Sequence, residues 1–353
     1  MFTPDNVLSR YFRPCLALSS LMALASAPAI AQNTCKMVNI GHLPGATVSL
    51  ATGINARGQI VGASAATAFL YSEFQMKSLG TLGGATSYAY GINRSGQIVG
   101  YADLKNGTTH AFLYDDGRMN DIGTLGGPNS FAYGINNAGQ IVGQAQTASG
   151  AYHAFLYQHG GMTDLGSLSG GNSVAYRINN SGVIVGSSYV NATDFHAFSY
   201  QNGVMKDLGN GPGYTDSEAF GINDLGEIVG YTEAADASQV RGFVYHNGQM
   251  TNLPSLGGNS SYASDVNNRG LIVGYSQIGD GNYHSLSFLP GVTFDLGTIP
   301  GGMFSFALAI NNHNDVVGYS GSKKGIADAY VCKFVRGEGG HGDNDDKDDH
   351  DGE

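Results

Sequence analysis

Four histidines recur along the chain, each followed by an aspartate: His110 and Asp121, His153 and Asp164, His196 and Asp207, His284 and Asp295. An imidazole next to a carboxylate is how enzymes orient a general base, so these pairs are the first candidates for acid–base chemistry. The pattern argues against it. A catalytic dyad needs one copy and a nucleophile. Here four copies share one repeat position, and no G-x-S-x-G, H-E-x-x-H or G-x-x-x-x-G-K motif occurs. We read the pairs as cross-strand partners, contributing about 0.2–1 kcal/mol each, and assign no catalytic residue, metal ligand or cofactor.

The elements that position these residues repeat. The segment from Ser130 onward holds four strand-like runs: SFAYGIN (Ser130–Asn136), GQIVG (Gly139–Gly143), HAFLY (His153–Tyr157) and MTDLG (Met162–Gly166). Anchored on the GIN/IVG pair, copies begin at Gly53, Gly91, Gly134, Arg177, Gly221, Asp265 and Ala309, at intervals of 38, 43, 43, 44, 44 and 44 residues. Four short strands per copy, seven times over, predict an all-β, seven-bladed β-propeller. The turns agree. Asn93–Gly96 and Asn136–Gly139 fit type I turns with glycine left-handed in last place, and Asn314 takes that place in the seventh copy. The recurring His-Ala-Phe (His110–Phe112, His153–Phe155, His196–Phe198), with LGTLGG and GINxxGQIVG, resembles the bacterial HAF-type extracellular repeat family over about residues 37–334. The resemblance implies an exported repeat protein and supplies no catalytic residues.

The two ends are complementary pieces of one copy. Met37–Gly41 matches the fourth run, Met162–Gly166, whereas the last copy stops after Asp328–Cys332, in the place of HAFLY. The N-terminal strand is therefore expected to become the outer strand of the last blade and close the ring, since an open stack would leave two raw edges. With a two-residue turn at Asp115-Asp116, His110 should stand directly opposite Asp121. The same mapping puts Cys332 opposite Cys35, and Asp328 opposite Asn39. A Cys35–Cys332 disulfide clasping the ring follows.

Residues 1–31 read as a signal peptide: Arg10 and Arg13, an apolar run from Cys15 to Ala27, then Ala29-Ile30-Ala31. The propeller is expected over 32–335 and a disordered acidic tail over 336–353. A secreted or periplasmic monomer without membrane insertion follows. The formal net charge of −11 and the lack of a basic stripe speak against nucleic acid. Strand alternation collects the variable loops, such as Ala102–Thr109 and Gln144–Tyr152, on one face, where a rigid ring would hold an extracellular polymer, glycan or protein. Tyr101, Tyr189, Tyr231, Tyr275 and Tyr319, at or just before these loops, are the expected contacts. The alternative is a secreted hydrolase or lyase with a site in the central funnel. Asp216, Glu218 and Asp265, which break the repeat pattern, are its candidates.

Overall fold

The computed structural model describes residues 35–289, 292–321 and 327–334. The expected signal peptide and acidic tail, and part of the loop before Ala327, lie outside the described residues. Within them, twenty-eight strands form seven four-stranded antiparallel sheets. Each sheet is a blade, and we number the blades 1–7 from the copy that begins at Ser49. Blade 3 is typical, with strands Gly126–Ile135, Ile141–Thr147, Tyr152–Gln158 and Gly161–Asp164 from axis to rim. In blade 7 the outer strand is Cys35–Asn39, hydrogen-bonded to Ala327–Phe334. The chain is a seven-bladed β-propeller closed by its N-terminal strand.

Local chemistry explains why each copy folds alike. The Ile-Val pairs that start the second strands are buried, as strands sandwiched between neighbouring blades must be. The Phe of each His-Ala-Phe is fully buried: Phe112, Phe155 and Phe198, with Phe69 and Phe243 in the same place. The apolar clusters are shared between neighbouring blades. Val99 and Ala111 of blade 2, for instance, pack with Ala132, Ile141 and Phe155 of blade 3. The seam is built the same way, with Ile40, Val317 and Ala329 of blade 7 against Ala51, Ile60 and Phe69 of blade 1. Blade 7 carries Tyr330 at the Phe position, and its buried hydroxyl meets Ser285 Oγ at 2.8 Å. Crowding near the axis explains the glycine of GIN: a Cβ on Gly134 would lie 2.8 Å from the Tyr176 carbonyl oxygen.

Two polar rings tie the blades together. Each first-turn asparagine is buried and donates through Nδ2 to the carbonyl of its counterpart one blade on: Asn55 to Asn93, then Asn136, Asn179, Asn223, Asn267 and Asn311. Asn311 donates back to Asn55 at 3.2 Å, so the ring is closed. The same side chains accept from their own turns through Oδ1, as Asn179 does from Ser181 and Val183. A second ring runs through Ser49, Ser87, Ser130, Ser173, Ser217, Ser261 and Ser305, each accepting a backbone N–H from the third strand of the preceding blade. These buried asparagines and serines are thereby paired at every blade interface.

Two register expectations are corrected. The outer hairpin turns on Asp116-Gly117, with Asp115 paired to Arg118 and Phe112 to Asp121. The cause is the turn: a type I′ hairpin needs both central residues left-handed, and Asp116 (φ 47°) and Gly117 (φ 79°) meet that condition. His110 is thus a diagonal rather than a direct partner of Asp121. At the seam, likewise, Cys35 pairs with Phe334, Met37 with Cys332 and Asn39 with Tyr330. The diagonal still brings Cys35 and Cys332 into a disulfide, with Cα atoms 5.6 Å apart.

Candidate functional site

The His–Asp pairs come together in all four blades, with Nδ1 to Oδ2 distances of 2.8–2.9 Å. Each aspartate also accepts the N–H of the glycine two residues on, at 2.7–2.8 Å, as Asp121 does from Gly123. The aspartate thus caps the end of the outer strand, and the histidine holds the cap in place. In blade 6 the bond to Asp295 holds His284 above its ordinary 6.5 against the opposing effect of burial. Burial pushes the Asp295 carboxyl up, but bonds from His284 and Gly297 outweigh it and leave it below 3.8. Blade 7 differs: Asp328 stands in the histidine position and meets His42, while Asn39 takes the aspartate's place and accepts the Gly41 N–H. These groups latch strands at the rim and line neither of the two channel cavities.

Four of the five tyrosines expected at the loop surface are instead buried: Tyr101, Tyr231, Tyr275 and Tyr319 expose 2–5% of their area. Tyr189 is half-buried against Phe195. The reason is strand-end packing around the axis, where rings from adjacent blades touch. Tyr90 meets Tyr133 at 5.3 Å, Tyr133 meets Tyr176 at 5.5 Å, and Tyr176 meets Phe220 at 5.2 Å. The belt continues through Tyr231, Tyr262, Tyr275 and Phe306 to Tyr319 at 4.7–5.5 Å. Blade 1 breaks it with Leu50, Thr52 and Ala63. That gap and the facing aromatics, including Tyr88, Tyr90, Tyr133 and Tyr319, enclose an axial cavity of about 120 Å³, a volume suited to a group the size of one small ring. Burial pushes the Tyr90 hydroxyl up to about 12 and raises Tyr101 and Tyr133 further. None of the three supplies a phenolate near neutral pH.

One charged side chain, Arg177, lines this cavity. Arg177 and Asp265 replace the crowded GIN glycine in blades 4 and 6, and their side chains meet at 3.6 Å. Gly221 of the intervening blade leaves the room: a Cβ there would lie 3.2 Å from Asp265 Oδ1. Burial raises the Asp265 carboxyl above the usual range, opposed by Arg177 and by the N–H groups of Ile310 and Val266. Glu218, also buried, accepts from Tyr176 Oη at 3.2 Å and Ser187 Oγ at 3.0 Å. Asp216 is a loop clamp, accepting Phe195 N–H as Asn129 and Asn172 accept Thr109 and Tyr152 N–H in their blades. The three carboxylates singled out in the sequence are therefore engaged by the protein itself. The Arg177–Asp265 contact was missed by sequence reasoning; its signal was two charged residues in a glycine column. Among the described residues no group of three or more His, Cys, Asp or Glu is placed to hold a metal ion, and no helix is long and apolar enough to cross a membrane.

No protein-family model and no curated protein matches the chain. Solved β-propellers match its fold. Streptogramin B lyase aligns with TM-score 0.55 at 11% identity, over 86% of this chain and 99% of that one. The β-propeller domain of the Trilobed protease from Pyrococcus furiosus, described as having an open velcro topology, gives 0.54 at 9% identity over 81% and 94%. The extracellular domain of a hybrid two-component system from B. thetaiotaomicron gives 0.54 at 13% identity over 84% of this chain. This chain spans 39% of that domain's length and 65% of the length of TolB from Acinetobacter baumannii. At such identities the likeness defines the class, a β-propeller, and the class alone.

Proposed function

We propose that the protein is an exported binding propeller that recognises an extracellular glycan, surface polymer or protein on its loop side, and leaves it chemically unchanged. One observation carries the reading: the axial cavity has an aromatic wall lined by no carboxylate, and the carboxylates behind that lining, Glu218 on Tyr176 and Asp265 on Arg177, are already bonded to protein donors. Aromatic walls with few polar groups suit binding of a ring or apolar group. A hydrolase or lyase would need an uncommitted acid or base there. The signal-peptide reading of residues 1–31, the resemblance to HAF-type repeats and the Cys35–Cys332 disulfide all favour the periplasm or the exterior.

The test is binding to glycan and surface-polymer arrays by the purified protein lacking residues 1–31, run beside a panel of hydrolase and lyase assays. The reading predicts binding without turnover, weakened by Tyr176→Leu in a variant that keeps its thermal midpoint. Turnover abolished by Glu218→Gln or Asp265→Asn would replace it with the enzymatic reading.

A further inference from the structure

The opposite mouth of the channel, on the side of the tight turns, carries different chemistry. The seven asparagine turns surround a vestibule of about 730 Å³, within the usual range for a ligand pocket. In blades 2 to 6 the residue after the buried asparagine donates its backbone N–H to a side-chain oxygen of the next blade, at 2.8–3.0 Å. Asn137, Asn180, Asp224, Asn268 and Asn312 supply those oxygens. The ladder stops at the seam. Ala56 in blade 1 and Arg94 in blade 2 stand where an acceptor is needed and carry none. Among the described residues, the N–H groups of Asn312 and Ala56 therefore have no acceptor.

Ring closure sets two arginines and a histidine at the same break. Arg57 of blade 1 and His313 of blade 7 hold the same turn position in adjacent blades, and Arg94 follows in blade 2; all three are exposed and line the vestibule. Among the described residues the one ion pair made by an arginine is Arg177–Asp265, which leaves Arg57 and Arg94 uncommitted. The two carboxylates of the same space are occupied: Asp224 by donors from Asn180 and Asn268, Asp265 by Arg177 and two backbone N–H groups. The chain as a whole is acidic, with a formal net charge of −11, but repulsion from distant charges is screened over about 10 Å in ordinary salt. At contact the local arc decides.

We propose that this vestibule binds an acidic sugar residue, a uronate, of a polysaccharide chain. Two guanidinium groups suit a carboxylate, which arginine holds bidentately. The two spare N–H groups add donors for its oxygens. The side-chain amides of Asn137 and Asn312 flank the arc and match sugar hydroxyls. No Phe, Tyr or Trp lines the vestibule, so it lacks the extended stacking platform a single-stranded nucleic acid would use.

The experiment is calorimetric titration of the protein, without residues 1–31, with oligogalacturonate, with its fully methyl-esterified form and with a poly-glutamate peptide. The proposal predicts salt-sensitive binding of oligogalacturonate alone. It predicts a loss of roughly tenfold or more for Arg57→Gln with Arg94→Gln, and a smaller loss for Ala56→Asn, which supplies the acceptor for Asn312 N–H. Both sites are exposed, so the thermal midpoint should stay put and folding cannot account for the loss. Tyr176→Leu, on the loop side, should leave this binding intact, which separates the result from the loop-face proposal. No binding, equal binding of the ester, tighter binding of poly-glutamate, or affinity unmoved by the double substitution would each overturn it.

Discussion

The interfaces between blades and the axis of the ring obey opposite rules. At the interfaces the seven copies carry the same polar groups: an asparagine at each first turn and a serine at each inner strand, both bonded across to a neighbouring blade. Along the axis the copies diverge. The glycine column reads Gly53, Gly91, Gly134, Arg177, Gly221, Asp265 and Ala309, and the aromatic belt lapses at Thr52 and Leu50. In a ring of repeats, identity between copies serves stacking, because every interface needs the same bonds. Difference between copies marks the places where a symmetric ring becomes an asymmetric receptor.

The largest effect that would test this division lies at an interface. Asn179→Ala removes the part-buried acceptor for Ser181 and Val183 N–H and the buried donor to the Asn223 carbonyl. We expect a loss of about 2–4 kcal/mol in urea unfolding, against a few tenths for Asn137→Ala, an exposed turn residue at the vestibule. Equal losses would remove the distinction between the buried ring and the exposed turn residues. At the axis, Arg177→Gly alone leaves the buried Asp265 carboxyl without its charge partner and should cost about 1–3 kcal/mol. Adding Asp265→Gly restores the repeat's own residue and should recover most of that loss in a double-mutant cycle. Additive losses would mean that the pair also supports the ring.

The smallest effect concerns the rim latches. His284 binds its proton more tightly folded than unfolded, so its contribution is complete below about 6.5 and fades as pH rises through its raised value. Asp295 behaves inversely: its contribution is complete above 3.8 and fades as pH falls through its lowered value. Both are partly exposed, so His284→Ala should cost only a few tenths of a kcal/mol to about 1 kcal/mol. The cost should be larger at pH 5.5 than at pH 8.5, read as denaturant midpoints. A loss that does not change between these two values would show that packing, not the charged bond, is what the histidine provides.

How much of this was legible in the sequence follows from the kind of interaction. Blade number, strand order and closure showed because turn glycines and Ile-Val strands repeat, and because Met37–Gly41 completes the copy ending at Cys332. The hairpin register slipped because Asp115, Asp116 and Gly117 are all turn formers; the left-handed dihedrals at the last two decide it. The serine ring was hidden by the commonness of serine, and its spacing becomes informative only beside a neighbouring blade. Arg177 and Asp265 lie two blades apart in the chain, and Arg57 and His313 at nearly opposite ends of it. Their meeting depends on ring curvature, which no local pattern encodes. The exposure of Tyr101, Tyr231, Tyr275 and Tyr319 was misjudged, because an aromatic at a strand end reads alike whether it faces solvent or the axis.

Closure of the ring through its ends underlies each of these arguments, and one measurement addresses it directly. The protein without residues 1–31, alkylated unfolded and unreduced and then digested, should show no labelled thiol and one crosslinked peptide pair containing Cys35 and Cys332 by mass spectrometry. Two labelled cysteines, or crosslinks between separate molecules, would contradict a ring in which Cys35–Asn39 completes the seventh blade.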